Sequence, residues 1–129
     1  MESFVHLKIH SEFSLVDGLV RIKPLLKVLA ERQSPALAIT DQANMYCLIK
    51  YYKAALCAGI KPLVGADVWI ANPEAPLKPF RLTLYAMNER GYRNLIELIS
   101  QGYTEGRLQD LAILQVDWVV SKADGLLAL

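Results

Sequence analysis

Apolar residues fall into short segments whose spacing alternates between that of a strand and that of a helix. Residues 4–10 alternate apolar and polar side chains, which is typical of a strand. Residues 22–32 place Leu25, Leu26 and Leu29 on one helical face. The beginning of the chain is therefore predicted to form a strand, a loop and a helix.

The same order repeats further along the chain. Residues 36–40 form a continuous apolar run, as in strands that are buried on both faces. A helix is predicted to follow, with Asn44 as its N-cap and Gly59 as its stop. The core stripe predicted for this helix consists of Met45, Leu48, Ile49, Tyr52, Ala55 and Leu56.

The rest of the chain continues the alternation. The predicted elements are a strand from Pro62 to Ala71, a strand from Phe80 to Met87, a helix from Gly91 to Tyr103 with its stripe at Tyr92, Leu95, Ile96, Ile99 and Tyr103, a short helix from Val116 to Ala123 and a buried strand from Gly125 to Leu129. Residues 72–79 contain three prolines and are predicted to form a surface loop. Strands that alternate with helices predict an α/β fold with a mainly parallel sheet and flanking helices.

The composition supports a folded chain. Of the 129 residues, 53% are hydrophobic and 21% are charged, which is too apolar for intrinsic disorder. The formal net charge is +1, and this near-neutral balance argues against an independent nucleic-acid-binding module. A strand that ends at the last residue leads us to expect a piece of a larger protein.

The expected location is the cytoplasm. No apolar run approaches the roughly 18 residues that span a bilayer, and Met1 to Ser3 do not resemble the start of a signal peptide. We therefore expect no membrane partner. Cys47 and Cys57 lack metal or redox spacing, and we expect both to be buried.

Polar residues follow the predicted strands, where the loops of an α/β fold gather functional groups. They are His10 with Asp17, Asp41 with Gln42, Asp67 within the third strand, and Asn88. His10, Asp17 and Asp67 have the chemistry of metal ligands. Three candidate ligands are weak evidence for a metal site. The same residues could instead make local hydrogen bonds in turns and at strand ends. From spacing alone, the local roles are favoured.

Four stretches together carry a resemblance to a known family. They are residues 6–18, which read HLKIHSEFSLVDG, then residues 35–45, 58–68 and 91–100. In order and spacing they resemble the PHP (polymerase and histidinol phosphatase) domains that open the alpha subunits of bacterial DNA polymerase III. The resemblance implies a distorted, TIM-like βα barrel. Residues 1–129 would form the N-terminal first half of one PHP domain, without the rest of the barrel and the polymerase domains.

The resemblance also implies a degenerate metal site. The metal-binding form of the family has histidines at the positions of Lys8, His10 and Gln42 and acids at those of Asp17 and Asp67. A protonated lysine has no lone pair for a metal, and a glutamine amide is a poor substitute for imidazole. His10, Asp17 and Asp67 would remain as residual ligands for a weakly bound divalent metal, and no cofactor is expected in this segment.

Lys8 suggests a hypothesis about what replaces the metal. Its ammonium group would take over the positive charge among Asp17, Asp41 and Asp67, so that these carboxylates form a salt-bridge cluster. The alternative is that Lys8 extends from a strand end into solvent. The acidic neighbours favour the cluster.

The function implied by the resemblance is that of a structural and docking module in a replicative DNA polymerase. The parent chain would be a magnesium-dependent nucleotidyltransferase, and no catalytic residue would lie in this segment. The implied partners are the rest of the alpha chain, the proofreading exonuclease subunit, and DNA through the parent chain. The alternative function is that of a metal-dependent phosphoesterase or 3′–5′ exonuclease that uses the residual site.

One further stretch has an interleaved basic and aromatic pattern. Tyr46, Lys50, Tyr51, Tyr52 and Lys53 could stack on bases and contact phosphates. Helical spacing favours a simpler interpretation, in which Tyr52 lies in the core and both lysines face solvent. Nucleic-acid contact through this helix is therefore not favoured.

Overall fold

The computed structural model describes residues 4–14 and 16–129. The chain divides into two compact units, Met1–Gly65 and Ala66–Leu129. The elements in chain order are α1 (Ile22–Glu31), β1 (Ala36–Ile39), α2 (Leu48–Cys57), β2 (Lys61–Ile70), β3 (Phe80–Ala86), α3 (Glu89–Glu105), β4 (Arg107–Leu108), β5 (Leu111–Leu114), α4 (Val116–Ser121) and β6 (Leu126–Ala128). The predicted α/β fold class is confirmed.

The first unit packs α1 and α2 around the strand pair formed by β1 and the start of β2. These strands are parallel, and Ala36 pairs with Lys61 at one end of the register and Ile39 with Val64 at the other. The buried core consists of Ile22, Leu26, Leu29, Leu37, Ile39, Cys47, Tyr51, Ala55 and Ile60. The prediction for α1 is confirmed for Leu26 and Leu29, which are buried together with Ile22, whereas Leu25 is partly buried and packs against this core.

The predicted first strand is not a regular strand. Residues 4–10 contain one isolated parallel bridge, between His6 and Leu37. Backbone hydrogen bonds of 2.9 Å run from Ala38 N to His6 O and from Thr40 N to Ile9 O. The segment runs alongside β1, but its side chains are largely exposed.

The prediction for α2 is wrong in its start and in its buried face. The helix begins at Leu48, and Cys47 rather than Asn44 is its N-cap residue. Tyr51 and Ala55 are buried, whereas Ile49, Tyr52 and Leu56 are exposed. Tyr51 rather than Tyr52 therefore enters the core. Its hydroxyl donates a hydrogen bond to the Leu37 carbonyl, and burial raises the pKa of Tyr51.

The predicted end of α2 is confirmed at Gly59. This glycine has φ +72°, a left-handed conformation that glycine adopts without steric cost. Its neighbour Cys57 is exposed, so the expectation that both cysteines are buried is wrong for Cys57 and right for Cys47.

The second unit is a mixed sheet with α3 packed on β3 and β5. Its strand order is β4-β5-β2-β3-β6. β2 and β5 are parallel, whereas β3 pairs antiparallel with β6, and β4 pairs antiparallel with β5. The strand β5 was not among the predicted elements. The strand predicted at Gly125 to Leu129 is partly exposed rather than buried, since Leu127 in β6 and Leu129 after it retain much of their accessible surface.

The helix α3 is capped by Asn88, whose Oδ1 accepts a 2.9 Å hydrogen bond from Gly91 N. Its buried residues are Gly91, Leu95, Leu98 and Gly102. The predicted stripe is therefore displaced, because Ile96 and Tyr103 are exposed. Within the described ranges, no helix combines the length and the apolar character needed to cross a membrane.

Candidate functional site

The first unit contains an open cleft of about 560 Å³. Its lining residues are His6, Lys8, Ile9, His10, Asp17, Leu19, Val20 and Leu25. Three of the predicted site residues, Lys8, His10 and Asp17, therefore lie around one cleft. Its remaining walls are largely aliphatic.

His10 and Asp17 contact each other directly. His10 Nδ1 lies 2.8 Å from Asp17 Oδ2, and the two side chains are 14% and 35% exposed. The other carboxylate oxygen, Oδ1, accepts a 2.7 Å hydrogen bond from the Ser14 hydroxyl. Both oxygens of Asp17 are thus engaged within residues 10–17.

Asp41 is held by hydrogen bonds from Ser11, on the loop at residues 10–18. It is 1% exposed and accepts hydrogen bonds from Ser11 N at Oδ1 and from Ser11 Oγ at Oδ2, both 2.6 Å long. Burial raises the pKa of Cys47 to about 12, and the nearby negative charge of Asp41 adds to this effect. Through the hydrogen bonds from Ser11, Asp41 joins the loop at residues 10–18 to the end of β1.

Gln42 and Asn44 complete the junction between the two loops. The Gln42 backbone N donates a 3.1 Å hydrogen bond to Ser14 Oγ. The side-chain amide of Asn44 donates to Phe13 O at 3.0 Å and to Gln42 O at 3.1 Å. Ser14 therefore links Asp17 to the loop that follows β1.

Asp67 belongs to the second unit, on the part of β2 that follows Gly65. It is 1% exposed and accepts a 2.5 Å hydrogen bond from the hydroxyl of Thr83 on β3. Burial raises the pKa of Tyr85, and the charge of Asp67 raises it further. This side chain is a buried acceptor within the sheet of its own unit.

The donor chemistry does not fit a complete metal centre. In the described ranges, no group of three or more His, Cys, Asp or Glu side chains has an arrangement that would hold a metal ion. The two carboxylate oxygens of Asp17 contact His10 and Ser14. A protonated Lys8 has no lone pair with which to bind a metal. The salt-bridge cluster of Lys8, Asp17, Asp41 and Asp67 stays a prediction.

Sequence reasoning missed Ser11, Ser14 and Asn44 as organisers of these loops. Ser11 and Ser14 are both fully buried, which is unusual for serine. The hydroxyl of each donates a hydrogen bond to an aspartate. The Ser14 and Asp17 pair has the short spacing typical of local turns. The pairing of Ser11 with Asp41 spans 30 residues and leaves no local signal.

Two solved structures share the fold of the chain. One is an amidohydrolase from Chromobacterium violaceum with bound sulfate and no metal, at 20% identity and a TM-score of 0.55, covering 75% of this chain and 34% of that one. The other, from Bifidobacterium adolescentis, is assigned as a metal-dependent phosphoesterase, at 16% identity and a TM-score of 0.53, covering 79% of this chain and 35% of that one. By fold, the chain is in the class of α/β proteins that contains these two.

The family match is more specific. The PHP domain family matches residues 6–129, and the chain belongs to this family. It is 57% identical over 127 residues to the DNA polymerase III subunit alpha of Pseudomonas aeruginosa and 53% identical over 129 residues to that of Pseudomonas fluorescens. The corresponding protein of Vibrio cholerae is 43% identical over 126 residues. Each alignment covers 98% of this chain, which spans about a tenth of the length of these relatives, since 11% of each is covered.

Proposed function

We propose that the chain is the N-terminal PHP segment of a bacterial replicative DNA polymerase III alpha subunit. The observation that carries this proposal is the 57% identity, across 98% of the chain, to a protein of that name. The parent chain would be a nucleotidyltransferase that adds deoxynucleotides to a primer in the cytoplasm, with magnesium as its metal. Residues 1–129 would be one incomplete PHP domain.

Within that parent, the segment would act as a structural and docking module with a degenerate metal site. Support comes from the loops that carry the predicted site residues, where serine hydroxyls donate hydrogen bonds to the carboxylates. Ser14 and His10 occupy the oxygens of Asp17, and Ser11 occupies those of Asp41. A metal-activated water needs a more open set of ligands than these loops offer. No catalytic residue is assigned here.

The proposed partners follow from the same parentage. They are the rest of the alpha chain and the proofreading exonuclease subunit, with DNA bound by other parts of the parent. Exposed apolar residues, such as Phe4, Val16 and Leu19, support a docking role.

A chimaera tests the parentage. The matching segment of the Pseudomonas aeruginosa alpha subunit is replaced by this chain, and primer extension is measured beside the unmodified subunit. We expect the chimaera to extend primers as well as the unmodified subunit does. Deletion of the segment should leave the subunit unstable and inactive. A chimaera that folds and binds primed DNA but does not extend it would contradict the proposal.

Metal analysis separates the module from the alternative, a phosphoesterase or 3′–5′ exonuclease that uses His10, Asp17 and Asp67. The chimaera is dialysed against manganese and zinc, its bound metal is counted, and phosphatase and 3′ exonuclease assays follow. The module predicts no stoichiometric metal attributable to this segment and no hydrolysis. Bound metal together with hydrolysis that is lost in His10→Ala, but kept in His6→Ala, would favour the alternative.

A further inference from the structure

We draw no further inference here: the strongest candidate, an open groove of the second unit that Pro73 and Pro76 of the loop at residues 72–79 form with Arg107 after the end of α3, carries no proposal because nothing in the structure shows what occupies it.

Discussion

Ser11 donates hydrogen bonds to both carboxylate oxygens of Asp41, from its backbone N to Oδ1 and from its hydroxyl to Oδ2, each 2.6 Å long. Both residues are almost completely buried, and they lie 30 positions apart in the chain. A buried carboxylate that lacks donors is costly, so this pairing fixes the loop at residues 10–18 to the end of β1.

Removal of the Ser11 hydroxyl should destabilise the chain. In Ser11→Ala, Asp41 Oδ2 loses its donor in a buried position, and we expect unfolding in urea to show a loss of about 2 kcal/mol. Ser121→Ala removes an exposed helical hydrogen bond and should change the stability by less than about 0.5 kcal/mol. Equal effects of the two substitutions would show that Asp41 does not depend on Ser11.

Gly18 allows the same loop to close tightly. A Cβ at this position would lie 1.7 Å from the Ser11 carbonyl oxygen, so that the backbone must move. We expect Gly18→Ala to cost about 3 kcal/mol in urea unfolding. Gly59→Ala meets nothing within 4 Å but holds φ at +72°, and should cost about 1 kcal/mol. A greater loss in Gly59→Ala would contradict this account of the loop.

Elements that depend on local spacing were predictable, and those that depend on distant contacts were not. The apolar spacing of α1 gives its buried face correctly. Asn44 is a residue type typical of an N-cap. Its side-chain amide instead donates a hydrogen bond to Phe13 O, 31 residues away, and its Oδ1 accepts a hydrogen bond from Tyr46 N. Asn44 is thus used in this junction rather than as a cap, and α2 starts at Leu48. The four apolar residues of β5 are too few for periodicity to distinguish a strand from a helix.

The candidate site divides in the same way. The sequence indicates which residues follow the strands, and His10 and Asp17 are indeed in contact. It does not indicate that Ser14 bridges Asp17 to Gln42, because that link depends on the backbone path of two loops. The resemblance supplies the comparison of Lys8 and Gln42 with histidines, which composition and spacing do not contain.

The two thiols should react at very different rates. Cys57 is exposed, whereas Cys47 is buried with its pKa raised to about 12, so little reactive thiolate forms at about pH 8. Ellman's reagent should modify one thiol quickly in the native chain and both in guanidinium chloride. Cys57→Ser should remove the fast reaction. Two thiols with the same native rate would contradict the burial of Cys47.

Glu97 should titrate below its ordinary pKa. A 2.5 Å hydrogen bond from Lys122, together with the lysine charge, lowers the pKa of this exposed carboxyl from 4.5. When the pKa of a carboxyl is lower in the folded state, the group stabilises the protein at pH values above its pKa in the unfolded state. This contribution is lost as the pH falls through the pKa of the folded state. Carboxyl-carbon NMR should show the lowered pKa and its return in Lys122→Met. Arg93→Met, which removes the partner of Glu89, should leave the Glu97 titration unchanged.

Lys8 is the residue that decides between the salt-bridge cluster and a lysine that extends into solvent. If its charge balances Asp17, Asp41 and Asp67, Lys8→Ala leaves those carboxylates without a compensating cation. Calorimetry should then show a melting temperature lower by about 5 °C or more, since each kcal/mol shifts a domain of this size by several degrees. Lys23→Ala, on the exposed side of α1, should leave the melting temperature almost unchanged. A Lys8→Ala variant that melts with the unsubstituted chain would exclude the cluster and leave Lys8 as a solvent-facing residue.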